Sequence, residues 1–177
     1  MAREVTHECS SETRREFLAT SEHPYHFVNS GLPNIYLVGI RRFKCECGQE
    51  FVEIPALKQL MALIARNVVV KNEALTGAEV RFLRKQLGQK AIDFAAKVKL
   101  QPETLSRMET GKQEIGAKTD NYIRVYYALA SRDHVLLADI EKALDLVLAE
   151  KRKRTKKPPK TVAKISQQQE WALEAAA

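Results

Sequence analysis

The sequence predicts an α+β protein: a small N-terminal antiparallel β module, zinc-finger-like in its turn chemistry, followed by an all-α domain of five helices. Three observations predict it. Between Tyr25 and Ile54 the chain is rich in β-forming residues and broken by turn residues. From Pro55 to Glu150 apolar residues recur at helical spacing. Within that stretch Gln89–Gly111, QKAIDFAAKVKLQPETLSRMETG, reads as two short helices joined by a tight turn.

The first of these helices covers Lys90–Val98, with Phe94, Ala95 and Val98 on one apolar face. Ala95 is small, as a second helix crossing close over the first requires. Lys99, Leu100 and Gln101 make the turn. Pro102 opens the next helix, where its fixed φ and missing N–H do no harm. Leu105 and Met108 then point inward, and Glu103, Thr104, Ser106 and Arg107 face out.

That outward set suits duplex DNA. A helix fits the major groove, and short polar side chains with one guanidinium reach base edges from there. Arg107 is the first candidate, because arginine pairs with both guanine acceptors at once. Glu103 matches a cytosine amine and Thr104 a thymine methyl. Gln101 and Pro102 begin the same surface, while Lys90 and Lys112 are candidates for phosphate. The same spacing also fits an ordinary helical hairpin with a polar outer face.

Residues 76–131 resemble a helix-turn-helix domain of the Xre family. The resemblance rests on Phe94-Ala95, Val98 and Leu100, then Leu105-Ser106-Arg107-Met108-Glu109-x-Gly111. Two positions depart from the family pattern. Lys99 stands where the family usually has glycine, so a lysine must adopt left-handed backbone at modest cost. Ala91, beside Lys90, stands where the family often has a phosphate-touching glutamine. Glu109 is expected to serve the structure, pairing with a nearby base or backbone N–H.

Length, cysteines and charge set the class. A chain of 177 residues holds one domain with a sizeable core or two small ones. Three cysteines, one far from the other two, make no disulfide framework, so a cytoplasmic location is expected. No apolar run reaches the length of a membrane span, and the first residues hold no apolar signal core. The net charge of +7 sits in residues 151–160, KRKRTKKPPK, which carry seven basic residues and no acid. The rest of the chain balances. A basic tail beside a positive helical face is what phosphate attraction needs, and a solubilising extension has the same composition.

In chain order, residues 1–24 read as a flexible leader. Residues 25–72 form the β module: segments at Tyr25–Val28, Ile35–Ile40 and Phe51–Ile54 make about three strands, and residues 55–70 make one helix with Leu57, Leu60, Met61 and Ile64 on its face. So small a sheet needs a staple or a neighbour. Zinc is the candidate staple. Cys47-Gly48 before a strand looks like a zinc-knuckle turn, and His7, Cys9, Cys45 and Cys47 make four ligands. Their spacing opposes it, since each pair is separated by one residue rather than two. His23 and His26 are substitutes, and a knuckle that has lost its metal is the alternative.

A second resemblance covers about 25–131. It rests on Tyr25-His26, Ser30-Gly31-Leu32-Pro33-Asn34-Ile35-Tyr36-Leu37, Cys45-x-Cys47-Gly48, Ile54-Pro55 and Leu75-Thr76-Gly77-x-Glu79-x-Arg81-Phe82-Leu83-Arg84. This run is similar to the MqsA-like proteins, two-part regulators with a zinc finger in front and an Xre domain behind. The family normally has two CxxC pairs, which this chain lacks. The resemblance implies an autorepressor of the antitoxin type that binds operator DNA, with a toxin protein as partner of the front domain.

Lys71-Asn72-Glu73 is the expected boundary, and residues 73–150 the helix-turn-helix domain. Its helix 77–87 turns Val80, Leu83 and Leu87 inward and Arg81, Arg84 and Lys85 outward. Helix 117–130 is expected to bury Tyr122, Val125, Tyr126 and Leu129. Helix 134–150 has a stripe of Leu136, Ile140, Ala143 and Val147, widened by Leu137, Leu144 and Leu148. A stripe that broad suits a larger core or a homodimer. The dimer is preferred, because two recognition helices about 34 Å apart read two half-sites. Residues 151–177 read as a basic disordered tail, with a short helix around Trp171. No catalytic triad or phosphate-cradling glycine loop is present, so an enzyme is not expected. The rival is a protein-interaction module whose basic tail binds RNA or an acidic partner.

Overall fold

The computed structural model describes residues 14–46, 48–134, 136–138, 153–155 and 158–174. Twelve elements lie in this order: β1 Arg14–Leu18, β2 Tyr25–His26, β3 Ile35–Val38, β4 Arg41–Cys45, β5 Glu50–Glu53, α1 Leu57–Val70, α2 Gly77–Gln86, α3 Ala91–Lys97, α4 Pro102–Glu109, α5 Ala117–Ser131, β6 Thr161–Ile165 and β7 Trp171–Leu173. A single 3-10 turn, Val28–Ser30, follows β2. The α+β class stands. Among the described residues, 73–150 holds four complete helices. The expected fifth, 134–150, lies outside them except for 134 and 136–138.

The β-rich N-terminal half divides into two sheets, where one of about three strands was expected. One sheet is antiparallel, in the order β1-β4-β5. The other runs β2-β3-β6-β7, with β3 and β6 parallel. The chain changes sheet between β3 and β4. Gly39 has φ of +86° there, and a Cβ on it would stand 2.9 Å from the Ile165 side chain. Only glycine meets both conditions comfortably. Ala19 holds the switch by hydrogen bonds with Gly39 N–H and Ile40 C=O.

Two expectations about the ends need correction. Residues 14–18 of the expected leader form β1, paired with β4 from Arg14↔Cys45 to Leu18↔Arg41. The expected disordered tail returns to the N-terminal module: β6 pairs with β3 from Ile35↔Thr161 to Val38↔Lys164, and β7 covers β6. Trp171 lies in a strand rather than a helix. It is 6% exposed and donates its indole N–H to Pro55 C=O at 2.9 Å. Composition placed the basic and proline-containing run correctly but could not show that a parallel partner waited at β3. Strand pairing across that distance depends on topology, not on local propensity.

Helix α1 is the shared spine, packing on α2, α5 and β7. It buries Leu60, Ile64, Ala65, Val68 and Val69, while Leu57 is 47% exposed. One hydrophobic cluster runs through both halves, from Ala19 and Phe27 through Ile64 and Leu83 to Ala163 and Trp171. The polar break at 71–73 is therefore held tightly. Arg124, fully buried on α5, donates to the carbonyls of Val68, Val69, Lys71 and Glu73 at 2.5–3.1 Å. Its Nε meets Asp120 at 2.6 Å, and Asp120 also accepts the Leu75 N–H at 2.5 Å. Two of these contacts, to Val68 and Val69, satisfy carbonyls that α1 leaves open at its C-terminus, and the other two hold the segment that follows it.

That pair also rotates α5 from its expected phase. The buried face is Asp120, Ile123, Arg124, Tyr127 and Ala128, whereas Tyr122 and Leu129 are 47% and 64% exposed. An apolar stripe cannot locate a face whose centre is an ion pair.

Candidate nucleic-acid interface

Helix α2 forms the base of the candidate site. Thr76 and Glu79 make a reciprocal capping box, and Lys71 meets both Glu79 carboxylate oxygens at 2.8 Å. Gly77, the first residue of α2, touches α4: a Cβ there would lie 2.1 Å from the Met108 carbonyl oxygen. The two helices cross this closely only because the side chain is absent. Glu109 then fastens them. It accepts from Arg84 Nε at 2.7 Å and Arg84 Nη2 at 2.9 Å, with Arg81 at 3.4 Å.

Glu109 therefore serves the structure, as expected, although its partners lie on α2. Arg84, expected to face outward, is largely buried against it. The hydrogen bond to Glu109 holds the Arg84 guanidinium above its ordinary pKa, against the opposing effect of burial. Arg84 is thus a clamp between helices.

Helices α3 and α4 meet across the turn at Val98–Gln101. Phe94 and Ala95 are fully buried and Val98 is 4% exposed, as the apolar spacing required. Phe94 lies edge-on to Tyr126, whose hydroxyl meets the Gln89 side chain at 2.7 Å. Lys99 takes the left-handed conformation, with φ of +57°. Its N–H donates to Ala96 C=O and that of Leu100 to Ala95 C=O, completing a Schellman end with lysine where glycine is usual. Helix α4 ends the same way with the usual residue. Gly111 has φ of +72°, its N–H bonds Met108 C=O, and the Lys112 N–H bonds Arg107 C=O at 2.8 Å.

The predicted contact residues fall into two places. Pro102 is the first residue of α4, capped by Gln101, whose side chain makes no capping bond. Leu105 and Met108 face inward at 0% and 5% exposure. Gln101, Glu103, Ser106 and Arg107 are exposed, Thr104 and Pro102 are half-buried, and Lys112 is exposed just beyond the helix. Lys90 is separate from these, exposed at the cap of α3. Sequence reasoning did not single out Arg154, which pairs with Glu114 in the loop after α4. The signal was present in the basic run of 151–160, but nothing local to it pointed at that loop.

Of the four expected zinc ligands, only Cys45 is among the described residues. It is 2% exposed at the end of β4, where its N–H donates to Gln49 C=O across the β4–β5 turn. His7, Cys9 and Cys47 lie outside the described residues. Of the substitute histidines, His26 is engaged: its ring stacks on Tyr36 at 4.7 Å and Nε2 lies 2.9 Å from Pro33 C=O. Among the described residues no cluster of three or more His, Cys, Asp or Glu has metal-binding geometry. Nor is any described helix long and apolar enough to cross a membrane.

Comparison with family models, curated proteins and solved structures finds no match to any of the three.

Proposed function

We propose that this chain is a sequence-specific double-stranded DNA-binding transcriptional regulator, acting as a repressor, with α4 as its recognition helix. One observation carries the reading. Exposed Glu103, Ser106 and Arg107 project from a helix fixed by buried Leu105 and Met108, with Gln101 at its start. A helix held that rigidly presents its polar face in one orientation, which base-edge recognition demands. Around it, α2 to α5 form an Xre-type domain, with 134–150 as its fifth, dimerising helix. Two copies then read half-sites about one helical turn apart. In the same proposal the β module binds a toxin protein, making the chain an antitoxin.

The test is selection of a preferred duplex from a random library, followed by binding of Arg107→Ala. The substitution costs about 1–3 kcal/mol on the selected site and relaxes one base position. Unchanged affinity and unchanged sequence preference would remove α4 from the role.

A further inference from the structure

Two described points of the basic run, Lys153 and Pro159, are anchored, and Arg154 lies beside the first. Lys153 makes a parallel bridge with Glu73, and its carbonyl accepts the Ala74 N–H at 3.0 Å. Further along, Asn34 donates its side-chain amide to Pro159 C=O at 2.7 Å, and its own carbonyl accepts the Thr161 N–H at 2.9 Å. Between these anchors Arg154 extends its guanidinium to the Glu114 carboxylate. Glu114 lies two residues after Lys112, in the loop whose Lys112 and Gln113 N–H groups both bond Arg107 C=O. The Arg154 head group thus reaches the loop that follows α4, two residues beyond Lys112.

The ion pair itself is solvent-facing, with side-chain exposures of 55% for Arg154 and 80% for Glu114. A pair that exposed is weak and exchanges its partner readily. A backbone phosphodiester presents a guanidinium with two non-bridging oxygens and a single negative charge, as a carboxylate does.

Resting on the reading of α4 as the recognition helix, we infer that Arg154 is a phosphate-contacting residue for duplex DNA and that Glu114 occupies it in the unbound protein. Glu114 acts as an intramolecular stand-in for the phosphate. Binding moves the guanidinium from carboxylate to DNA backbone, so the contact adds affinity without adding sequence preference. The anchor at Glu73 and Ala74 holds neighbouring Arg154 beside the loop after α4 before DNA arrives, which lowers the ordering cost of binding.

The test uses the full chain and a labelled random-sequence duplex, titrated over a series of KCl concentrations. Arg154→Ala lowers affinity and makes the slope of log K against log salt shallower by about 0.9, the value for one lost phosphate contact. Glu114→Gln tightens binding by about two- to fivefold at low salt, the strength of one exposed ion pair. That gain disappears in the Arg154→Ala background. An unchanged salt slope in Arg154→Ala overturns the inference, as does a Glu114→Gln gain of equal size in both backgrounds. If either occurs while Arg107→Ala still loses its site, only the Arg154 contact fails. If the wild-type chain binds no duplex at all, the α4 reading fails and Arg154 with it.

Discussion

The junction around Arg124 and the corner around Trp171 tie distant segments to the two ends of α1, but by different physics. At the junction, one fully buried planar guanidinium holds four backbone carbonyls and a carboxylate. At the corner, an indole covers α1 and β6, and a single N–H reaches Pro55. The first depends on direction and charge, the second mainly on apolar area. A fold can thus join distant segments either by satisfying open backbone carbonyls or by burying apolar surface under a large ring. Only the second leaves a hydrophobic signature in the sequence.

Truncation measures both. Arg124→Ala leaves Asp120 and the carbonyls without their partner and costs about 3–5 kcal/mol. Trp171→Ala empties a large buried volume and costs about 3–5 kcal/mol. The conservative swaps separate them. Arg124→Lys recovers little, because three donors on a point charge cannot reproduce the fork. Trp171→Phe recovers part of the loss, since a second aromatic ring restores much of the apolar area but leaves a smaller cavity and no donor for Pro55 C=O. Urea unfolding followed by circular dichroism gives all four values. A lysine that restores Arg124 to within about 1 kcal/mol would mean charge alone holds the junction.

Tyr127 tests the same region by pH. Burial, reinforced by Asp133 and opposed by Arg66, pushes its hydroxyl up from 10.0 to about 12. The folded state therefore favours the neutral phenol more strongly than the unfolded state does. The resulting stability is fully present below pH 10 and is lost as pH rises from 10 toward 12. Tyr127→Phe flattens that alkaline decline in a stability-against-pH series. An equally steep decline in the variant would assign it to other groups.

The smallest effect is expected at the turn between α3 and α4. The two helices end with the same hydrogen bonds, yet one uses Lys99 and the other Gly111. Lys99→Gly relieves left-handed strain and raises stability by about 0.5–1 kcal/mol. A loss of stability would show that unfolded-state entropy outweighs the relief there.

The helical stretch was largely legible. Phe94, Ala95, Val98, Leu105 and Met108 are buried as their spacing requires, Lys99 bends left-handed, and Glu109 is structural. Helices announce themselves through contacts a few residues apart, and α4 packs on both α2 and α3. The exposed row on α4 follows from the same periodicity. Its role in binding DNA is the proposal that Arg107→Ala tests.

The sequence by itself determined the α+β class, the positions of α2 to α4 and the outward polar set of α4, because each depends on local periodicity. Only the tertiary structure decided the split into two sheets, the return of β6 to β3, the rotation of α5 and the meeting of Arg154 with Glu114. Each of these joins residues far apart in the chain, such as Asn34 and Pro159 at 125 positions. No local pattern encodes such a pairing: it forms when the rest of the core closes and leaves a strand edge, a set of carbonyls or a carboxylate for a distant segment to meet.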